Sequence, residues 1–358
     1  MQRRRRPRFI ERLSAGALRV LLPSVLLAAC AADGDSAPQQ RSAATVPDFS
    51  GTYNIATLTP VQRPRAFGDK LFLTEAEAEQ LIAADRALAD ADALASDPNR
   101  EAPPTGGDGS EGAAGNVGGY NQFWIDNGDS VIEVDGKFRT SIITDPANGR
   151  RPEFTPAGLA AWRKLVASFR DNDGTAWWHP GPGPYDNPEQ RPLAERCLLG
   201  FGSTSGPPMF PVLYNNLKRI VQTPDHIMIL NEMVHDARII RLNAQHAPTE
   251  ERSLMGDSIG WFEDDVLVVE TTNFRDHNAL RATTALRVIE RFEKRAEGGL
   301  MYRFTVTDPN TWTRSWGGEY PWPSSTDRVY EYACHEANYA LGNILRGARR
   351  LEAEAAAP

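Results

Sequence analysis

The chain has 358 residues, 24% of them charged, and a formal net charge of −8 at pH 7. Residues 1–29 carry seven Arg and one Glu, a charge of +6, so the rest of the chain carries −14. A body this acidic repels nucleic acid, and no nucleic-acid-binding motif occurs, so the sequence excludes that class of partner.

The N-terminal 29 residues have the layout of an export signal. Five arginines between Arg3 and Arg8 precede an apolar run from Val20 to Ala29. That run is far shorter than the ~20 apolar residues that a membrane-spanning helix needs. We therefore predict a signal peptide over residues 1–29.

The signal ends in Leu27-Ala28-Ala29-Cys30, which resembles the lipobox of bacterial lipoproteins. This resemblance implies cleavage before Cys30 and lipidation of its sulfur; an ordinary secretory signal is the alternative. Ala31 stands where an aspartate typically retains lipoproteins at the inner membrane. The expected location is therefore the cell envelope, with a lipid anchor in the outer membrane and the body facing the periplasm.

A flexible tether precedes the folded part of the chain. Residues 30–47 are small, polar and proline-containing, which is typical of a linker. We assign residues 48–358 to a single mainly-β domain, whose Gly51-Thr52-Tyr53 resembles the first strand of lipocalin-like barrels. Thr74 and Glu77 form a capping box that begins a helix running to about Ala95. The Gly-, Pro- and Asp-rich segment near 96–119 is expected to be a disordered loop.

The remaining pattern is mostly β. An amphipathic helix is predicted from Thr155-Pro156 to about Phe169, and a closing helix from about His335 to Glu354. Strands with tight turns between them are predicted at 131–134, 137–143, 218–223, 226–234, 237–243, 258–262, 266–272, 286–294, 300–307 and 329–333. Consecutive hairpins predict an antiparallel ladder that is barrel-like, of calycin or lipocalin type, with two or three peripheral helices.

Besides Cys30, the chain has only Cys197 and Cys334. Two cysteines in an oxidising compartment favour a disulfide, with a reactive thiol as the alternative. Cys334 lies in the stretch EYACHEANY (331–339), where His335-Glu336 lacks a second histidine at position 339 and is not a zinc motif. We expect no metal and no cofactor. His335 and Glu336 are either site residues or part of a strand–helix junction, with Glu336 in the first helical turn.

A second cluster of ionisable residues lies at the end of a predicted strand. An extended backbone places Glu232 and Asp236 on one face and His235 on the other. Strands rarely bury so many charges unless they pair or line a cavity. His235 is the candidate general base, Asp236 or Glu232 its partner, and Arg238 an anion-stabilising group. The alternative is a salt-bridged strand end.

Aromatic and amide side chains are the candidates for substrate binding. Tyr120, Asn121 and Trp124 lie in one short segment, and Trp312 and Trp316 follow the strand that ends at Thr307. Aromatic residues on strands are more often core than ligand platform.

Eight blocks of the chain resemble a large family of exported bacterial proteins and lipoproteins. The resemblance covers nearly everything from Tyr120 onward and implies export and a shared fold; it implies no particular reaction. It departs at residues 243–246 and 264–265, both in predicted turns. The blocks are YNQFWIDNG, RTSIITDPANGR, RCLLGF, IVQTPDHIMILNEMVHDARII, MGDSIGWFEDDVLVVETTNF, VIERFEKR, TVTDPNTWTRSW and YEYACHEANYALGNILRGAR.

Two functions fit these observations. The first is an envelope lipoprotein acting as a cofactor-independent lyase, isomerase or hydrolase on a small organic substrate, with His235 as base and His335 as a second acid. The second is a non-catalytic lipoprotein that binds a hydrophobic or aromatic ligand in a cavity lined by Trp124, Trp312 and Trp316. An enzyme requires a histidine beside a carboxylate inside a pocket, whereas a carrier leaves its histidines outside an apolar cavity.

Overall fold

The computed structural model describes residues 46–95, 99, 125–170, 185–276, 278–336 and 338–357, without the side chains of 92 and 168–170. The predicted signal peptide, Cys30 and the tether up to residue 45 lie outside this part of the chain. So do Tyr120, Asn121, Trp124 and the predicted disordered loop, apart from Asn99. The described residues from 46 onward belong to one compact unit.

Thirteen strands and three α-helices form the described structure. The helices are α1 (Glu75–Asp92), α2 (Pro156–Arg170) and α3 (Tyr339–Ala355), and none of the described helices is long and apolar enough to cross a bilayer. The strands are β1 (Gly51–Asn54), β2 (Phe72–Leu73), β3 (Glu133–Val134), β4 (Lys137–Arg139), β5 (Ile143–Asp145), β6 (Leu217–Gln222), β7 (His226–Asn231), β8 (Ala237–Leu242), β9 (Asp257–Glu263), β10 (Val266–Thr272), β11 (Arg287–Lys294), β12 (Leu300–Thr307) and β13 (Trp316–Trp322).

Ten strands form one sheet in the order β1-β6-β7-β8-β9-β10-β11-β12-β13-β5, and β2-β4-β3 form a small second sheet. The large sheet curls into a half-barrel, so the prediction of a mainly-β, barrel-like fold with peripheral helices is confirmed. Every neighbouring pair in it is antiparallel except β8 and β9, which run parallel. The antiparallel order from β6 to β13 is therefore interrupted once. Residues 243–256 return the chain from the end of β8, so that β9 runs alongside β8 in the same direction.

The core lies against one face of the large sheet, because alternate residues of its strands point to that face. Phe292, Tyr302 and Tyr320 are fully buried and occupy neighbouring positions on β11, β12 and β13. Their ring centroids lie 5.0 Å (Phe292 to Tyr302) and 5.6 Å (Tyr302 to Tyr320) apart. Burying each such ring stabilises the fold by roughly 1.5–3 kcal/mol.

The predicted capping signals are confirmed. The Thr74 hydroxyl accepts from the Glu77 N–H at 3.3 Å, and the Glu77 carboxylate accepts from the Thr74 N–H at 2.8 Å. These two bonds satisfy donors that the start of α1 leaves unpaired. At α2, the Thr155 hydroxyl accepts from the Gly158 N–H at 3.0 Å in the same way.

Four predicted elements are wrong in extent. The strand predicted at 137–143 ends at Arg139, and Ile143–Asp145 forms the separate strand β5, which pairs with β13. The strand predicted at 226–234 ends at Asn231, because Val234 and His235 have positive φ values of 58° and 47° and turn the chain back into β8. Residues 329–333 form no strand, and α3 begins at Tyr339 rather than near His335. The last strand of the chain is β13, which the sequence pattern did not predict.

Candidate functional site

The loop between β7 and β8 separates the predicted catalytic residues. His235 is exposed, and its Nδ1 lies 3.1 Å from the carbonyl oxygen of Tyr332. Because a carbonyl oxygen only accepts, Nδ1 is the donor in this contact. Glu232 is buried, and its carboxylate accepts from the backbone N–H groups of Leu217 at 3.4 Å and Tyr330 at 3.2 Å. Neither bond brings a carboxylate to His235.

Asp236 is likewise engaged elsewhere. Its carboxylate accepts from the Ser205 hydroxyl at 2.6 Å and from the Gly200 N–H at 3.3 Å. Burial raises the pKa of Asp236, while these two hydrogen bonds oppose the shift. The predicted shared face of Glu232 and Asp236 does not exist, since the chain leaves the extended conformation between them. The loop holds three independently anchored polar groups instead of a base and its partner.

Sequence reasoning missed Lys218, a fully buried cation on β6. Its Nζ donates to the carbonyl oxygen of Thr204 at 2.9 Å. Burial lowers its pKa to about 7, although the nearby charges of Glu232 and Asp236 act in the opposite direction. The signal was present in the strand pattern, because Lys218 shares the core-facing side of β6 with Ile220.

The lowered pKa of Lys218 predicts a pH-dependent stability. Between pH 7 and 9 the unfolded chain binds a proton at Lys218 that the folded protein gives up, so the destabilisation is largest at low pH and fades as pH rises. The free energy of unfolding should therefore increase by about 2 kcal/mol over this interval through this group. Urea denaturation at pH 7, 8 and 9 measures it.

The matched control for this experiment is Lys218→Met, which should lose that increase over the same interval. The raised pKa values of Tyr302 and Tyr320 act only where tyrosine ionises in the unfolded chain, above about pH 9. An equal pH slope in the wild-type protein and in Lys218→Met would contradict the assignment.

Arg238 lies inside the half-barrel and carries the charge of a buried network. Its guanidinium pairs with both carboxylate oxygens of Glu290, with Nη1 to Oε1 at 3.0 Å. The Ser258 and Thr271 hydroxyls, each at 3.0 Å, accept from its Nε and Nη2. The Tyr302 hydroxyl also donates to Glu290, at 2.7 Å. Because each of its nitrogens already donates to a buried partner, we correct the predicted anion-stabilising role of Arg238 to a role in the core.

The predicted disulfide is confirmed, and it fixes the segment that contains EYACHEANY. Cys197 and Cys334 are bonded across 137 residues. His335 and Glu336 are exposed, and Glu336 lies outside the first helical turn because Asn338 caps α3. The Asn338 amide donates to the Glu195 carbonyl at 2.6 Å. This stretch joins the C-terminal helix to the Cys197 loop.

A cleft of about 1040 Å³ lies against the segment before Cys334. We name it the acidic cleft, since its wall includes Asp126, Glu195, Glu232, Asp327 and Glu331. Burial, followed by the charge of Glu232, raises the pKa of Asp126. His235 and His335 are not part of its lining. Within the described ranges, no three His, Cys, Asp or Glu side chains are grouped to hold a metal ion.

A second cavity, of about 720 Å³, contains the predicted substrate-binding residue Trp312. We name it the Trp312 cavity. One wall is α2, which contributes Trp162, and another is the loop 279–283. Phe154 and Phe210 complete an aromatic lining. Trp316, predicted to line the same cavity, is not part of its lining; it is fully buried against Trp312, with ring centroids 5.5 Å apart.

Asp308 fixes the walls of this cavity. Its buried carboxylate accepts from the backbone N–H and hydroxyl of Thr283, at 2.7 and 3.0 Å, and from the Thr311 hydroxyl at 2.8 Å. It thereby ties the loop 279–283 to the turn that presents Trp312. On the other side, α2 packs so closely against this turn that a Cβ at Gly158 would collide with the Thr311 carbonyl oxygen.

The two cavities differ in chemistry. Carboxylates line the acidic cleft, which lies beside residues that were predicted to be catalytic. The Trp312 cavity has aromatic walls that hydrogen bonds hold in place. Comparison of the chain with protein-family models, with curated proteins and with solved structures finds no match. The resemblance to exported bacterial proteins therefore stays a prediction.

Proposed function

We propose that this protein is a non-catalytic lipoprotein of the bacterial cell envelope that binds a hydrophobic or aromatic small molecule in the Trp312 cavity. The observation that carries the proposal is the aromatic lining of that cavity, with both candidate histidines outside it. Its volume of about 720 Å³ falls in the usual range of small-molecule sites. The lipobox-like Leu27–Cys30 supports the anchor and the location.

The shape of the cavity wall supports an aromatic ligand in particular. Phe154 and Trp162 stack with ring centroids 5.9 Å apart and an interplanar angle of 22°. Trp162 is 42% exposed, which is unusual for a tryptophan that packs on a neighbouring ring. An inserted ring would extend this stack and cover the exposed indole.

The test is equilibrium binding of N-phenyl-1-naphthylamine, an uncharged fluorescent aromatic probe, to the purified protein. We expect saturable binding of one probe per chain. Trp162→Ala should weaken it about two- to twelvefold, since one aromatic pair contributes roughly 0.5–1.5 kcal/mol. Because Trp162 is exposed, the variant should fold normally.

The matched control is Trp261→Ala. Trp261 lies on β9, donates to Glu263 at 3.0 Å and is not part of the cavity lining. Its replacement should leave binding unchanged. Absence of saturable binding, or equal affinities for the wild-type protein and Trp162→Ala, would refute the carrier proposal.

A cofactor-independent proton-transfer reaction at the acidic cleft is the second candidate. The observation that favours it is the lowered pKa of Lys218 together with the raised pKa of Asp236. The charges of Asp236 and of Glu232, which lies on the cleft wall, both act on Lys218. Perturbed pKa values of this kind concentrate at functional sites. Incubation with a cell-envelope metabolite extract, followed by mass spectrometry, should then show depletion of one compound. Depletion that persists in Glu232→Gln, which removes a carboxylate of the cleft wall, would remove the acidic cleft from the reaction.

A further inference from the structure

Two arginines of the Trp312 cavity have no carboxylate partner in the part of the chain that the structure describes. Arg151 and Arg281 both belong to its lining. Within the described residues neither forms an ion pair, whereas Arg139, Arg238 and Arg303 each pair with a glutamate. The Nε atom of Arg151 is buried and has no hydrogen-bond partner there. Its guanidinium lies over the Trp316 ring, 5.0 Å from the centroid.

The two charges act on each other. Burial lowers the pKa of Arg151 to about 10, and the charge of Arg281 acts in the same direction. The Arg281 side chain is exposed at its surface, and the protein atoms around it exclude enough water to lower its pKa as well. Guanidinium groups stay protonated at neutral pH, so the cavity holds two like charges, and neither forms an ion pair with a described carboxylate. A bound anion would relieve both the repulsion and the loss of hydration.

The backbone holds Arg281 in this position despite strain. Arg281 has φ 58°, a conformation uncommon for residues other than glycine. The carbonyl oxygen of Asn278 accepts from its N–H at 2.8 Å, and the Asn278 side chain accepts from the next N–H, that of Ala282, at 3.2 Å. Strained residues that the surroundings hold in place concentrate at ligand-binding sites.

The cavity is also positive overall, in contrast with the chain. Its described lining includes Lys164 besides the two arginines, and one carboxylate, Asp276. The whole chain has a net charge of −8. A concave positive region on an acidic protein attracts anions selectively, because the rest of the surface repels them.

We infer that the ligand of the Trp312 cavity is an aromatic organic anion, with its ring against the aromatic walls and its carboxylate or sulfonate between Arg151 and Arg281. This inference rests on the proposed function and adds the charge of the ligand to it. Guanidinium groups bind the oxygens of organic anions through paired, charge-assisted hydrogen bonds, whereas the neighbouring rings accept the apolar body. The two features of the cavity thus recognise the two ends of one molecule.

A matched pair of probes tests the charge. 8-Anilino-1-naphthalenesulfonate has the ring skeleton of N-phenyl-1-naphthylamine with an added sulfonate. We expect the sulfonate to bind the wild-type protein about tenfold more tightly than the uncharged probe. Arg151→Gln and Arg281→Gln should each remove most of this preference, so that the ratio of the two affinities approaches one.

The controls distinguish failure of the anion inference from failure of the carrier proposal on which it rests. Arg163→Gln removes an α2 arginine that is not part of the lining and should keep the preference. Arg281 is exposed, so Arg281→Gln serves as the test variant if Arg151→Gln fails to fold. Binding of the uncharged probe without a preference for the sulfonate would overturn the anion inference alone. Equal losses in Arg163→Gln and Arg281→Gln would overturn it as well, whereas failure of both probes would overturn the carrier proposal.

Discussion

Glu290→Gln is expected to lower the free energy of unfolding by about 3–5 kcal/mol, which is the usual cost of removing one partner of a buried ion pair. Both Glu290 and Arg238 are buried, at 0% and 3% exposure. The substitution keeps the shape of the side chain and leaves the Arg238 charge without a counterion inside the half-barrel. It also replaces an acceptor of the Tyr302 hydroxyl with a weaker one. Urea denaturation at pH 7 with the disulfide intact measures the loss.

The control for this prediction lies on the same strand. Glu293 of β11 pairs with Arg303, and both side chains are more than 40% exposed. Glu293→Gln should therefore cost less than about 1 kcal/mol, because water already screens this pair. Similar losses of stability in the two variants would show that burial does not increase the contribution of the Arg238 network to the free energy of unfolding. Unchanged stability of Glu290→Gln would show that Arg238 is solvated and available to a ligand.

Removing the disulfide by Cys197→Ala/Cys334→Ala should cost about 2–5 kcal/mol. The bond closes a loop of 137 residues, and long loops gain the most from cross-linking in the chain-entropy account. The C-terminal helix depends on it strongly, since no residue of α3 is buried. Besides the bond, the Asn338 amide is a direct link from this helix cap to the Cys197 loop.

Denaturation in the presence and absence of a reductant checks the assignment. The oxidised wild-type protein should lose stability on reduction, and the double variant should be insensitive to it. Hydrogen exchange of α3 should also accelerate in the variant, because the bond lies just before the start of this helix and the Arg349–Asp186 pair farther along it is exposed. Identical denaturation midpoints for the wild-type protein and the double variant would contradict a stabilising bond.

The sequence predicts the hairpins from β9 to β12 well, because alternating apolar residues and turn dipeptides act locally there. It fails at β13, whose sequence Trp-Gly-Gly-Glu-Tyr-Pro-Trp contains residues that are rare in strands. The structure explains them: a Cβ at Gly318 would collide with the Ile142 carbonyl, where β13 pairs irregularly with β5. The close approach of two strand backbones depends on the tertiary fold, so no local sequence pattern predicts it.

The candidate site shows the same limit. His235 and Arg238 are neighbours in the sequence, but a turn with positive φ sends one to the surface and the other to the core. Trp312 was predicted as a binding residue from its aromatic character alone. Its companions Arg151 and Arg281 lie 161 and 31 residues away, and the fold alone brings them to one cavity.

The central claim is that the Trp312 cavity holds the ligand, and a crystal structure with bound 8-anilino-1-naphthalenesulfonate tests it most directly. We predict that the rings lie beside Trp312 and Trp162, with the sulfonate oxygens within hydrogen-bonding distance of Arg151 and Arg281. An ordered probe in the acidic cleft, with the Trp312 cavity empty at saturating concentration, would contradict the account.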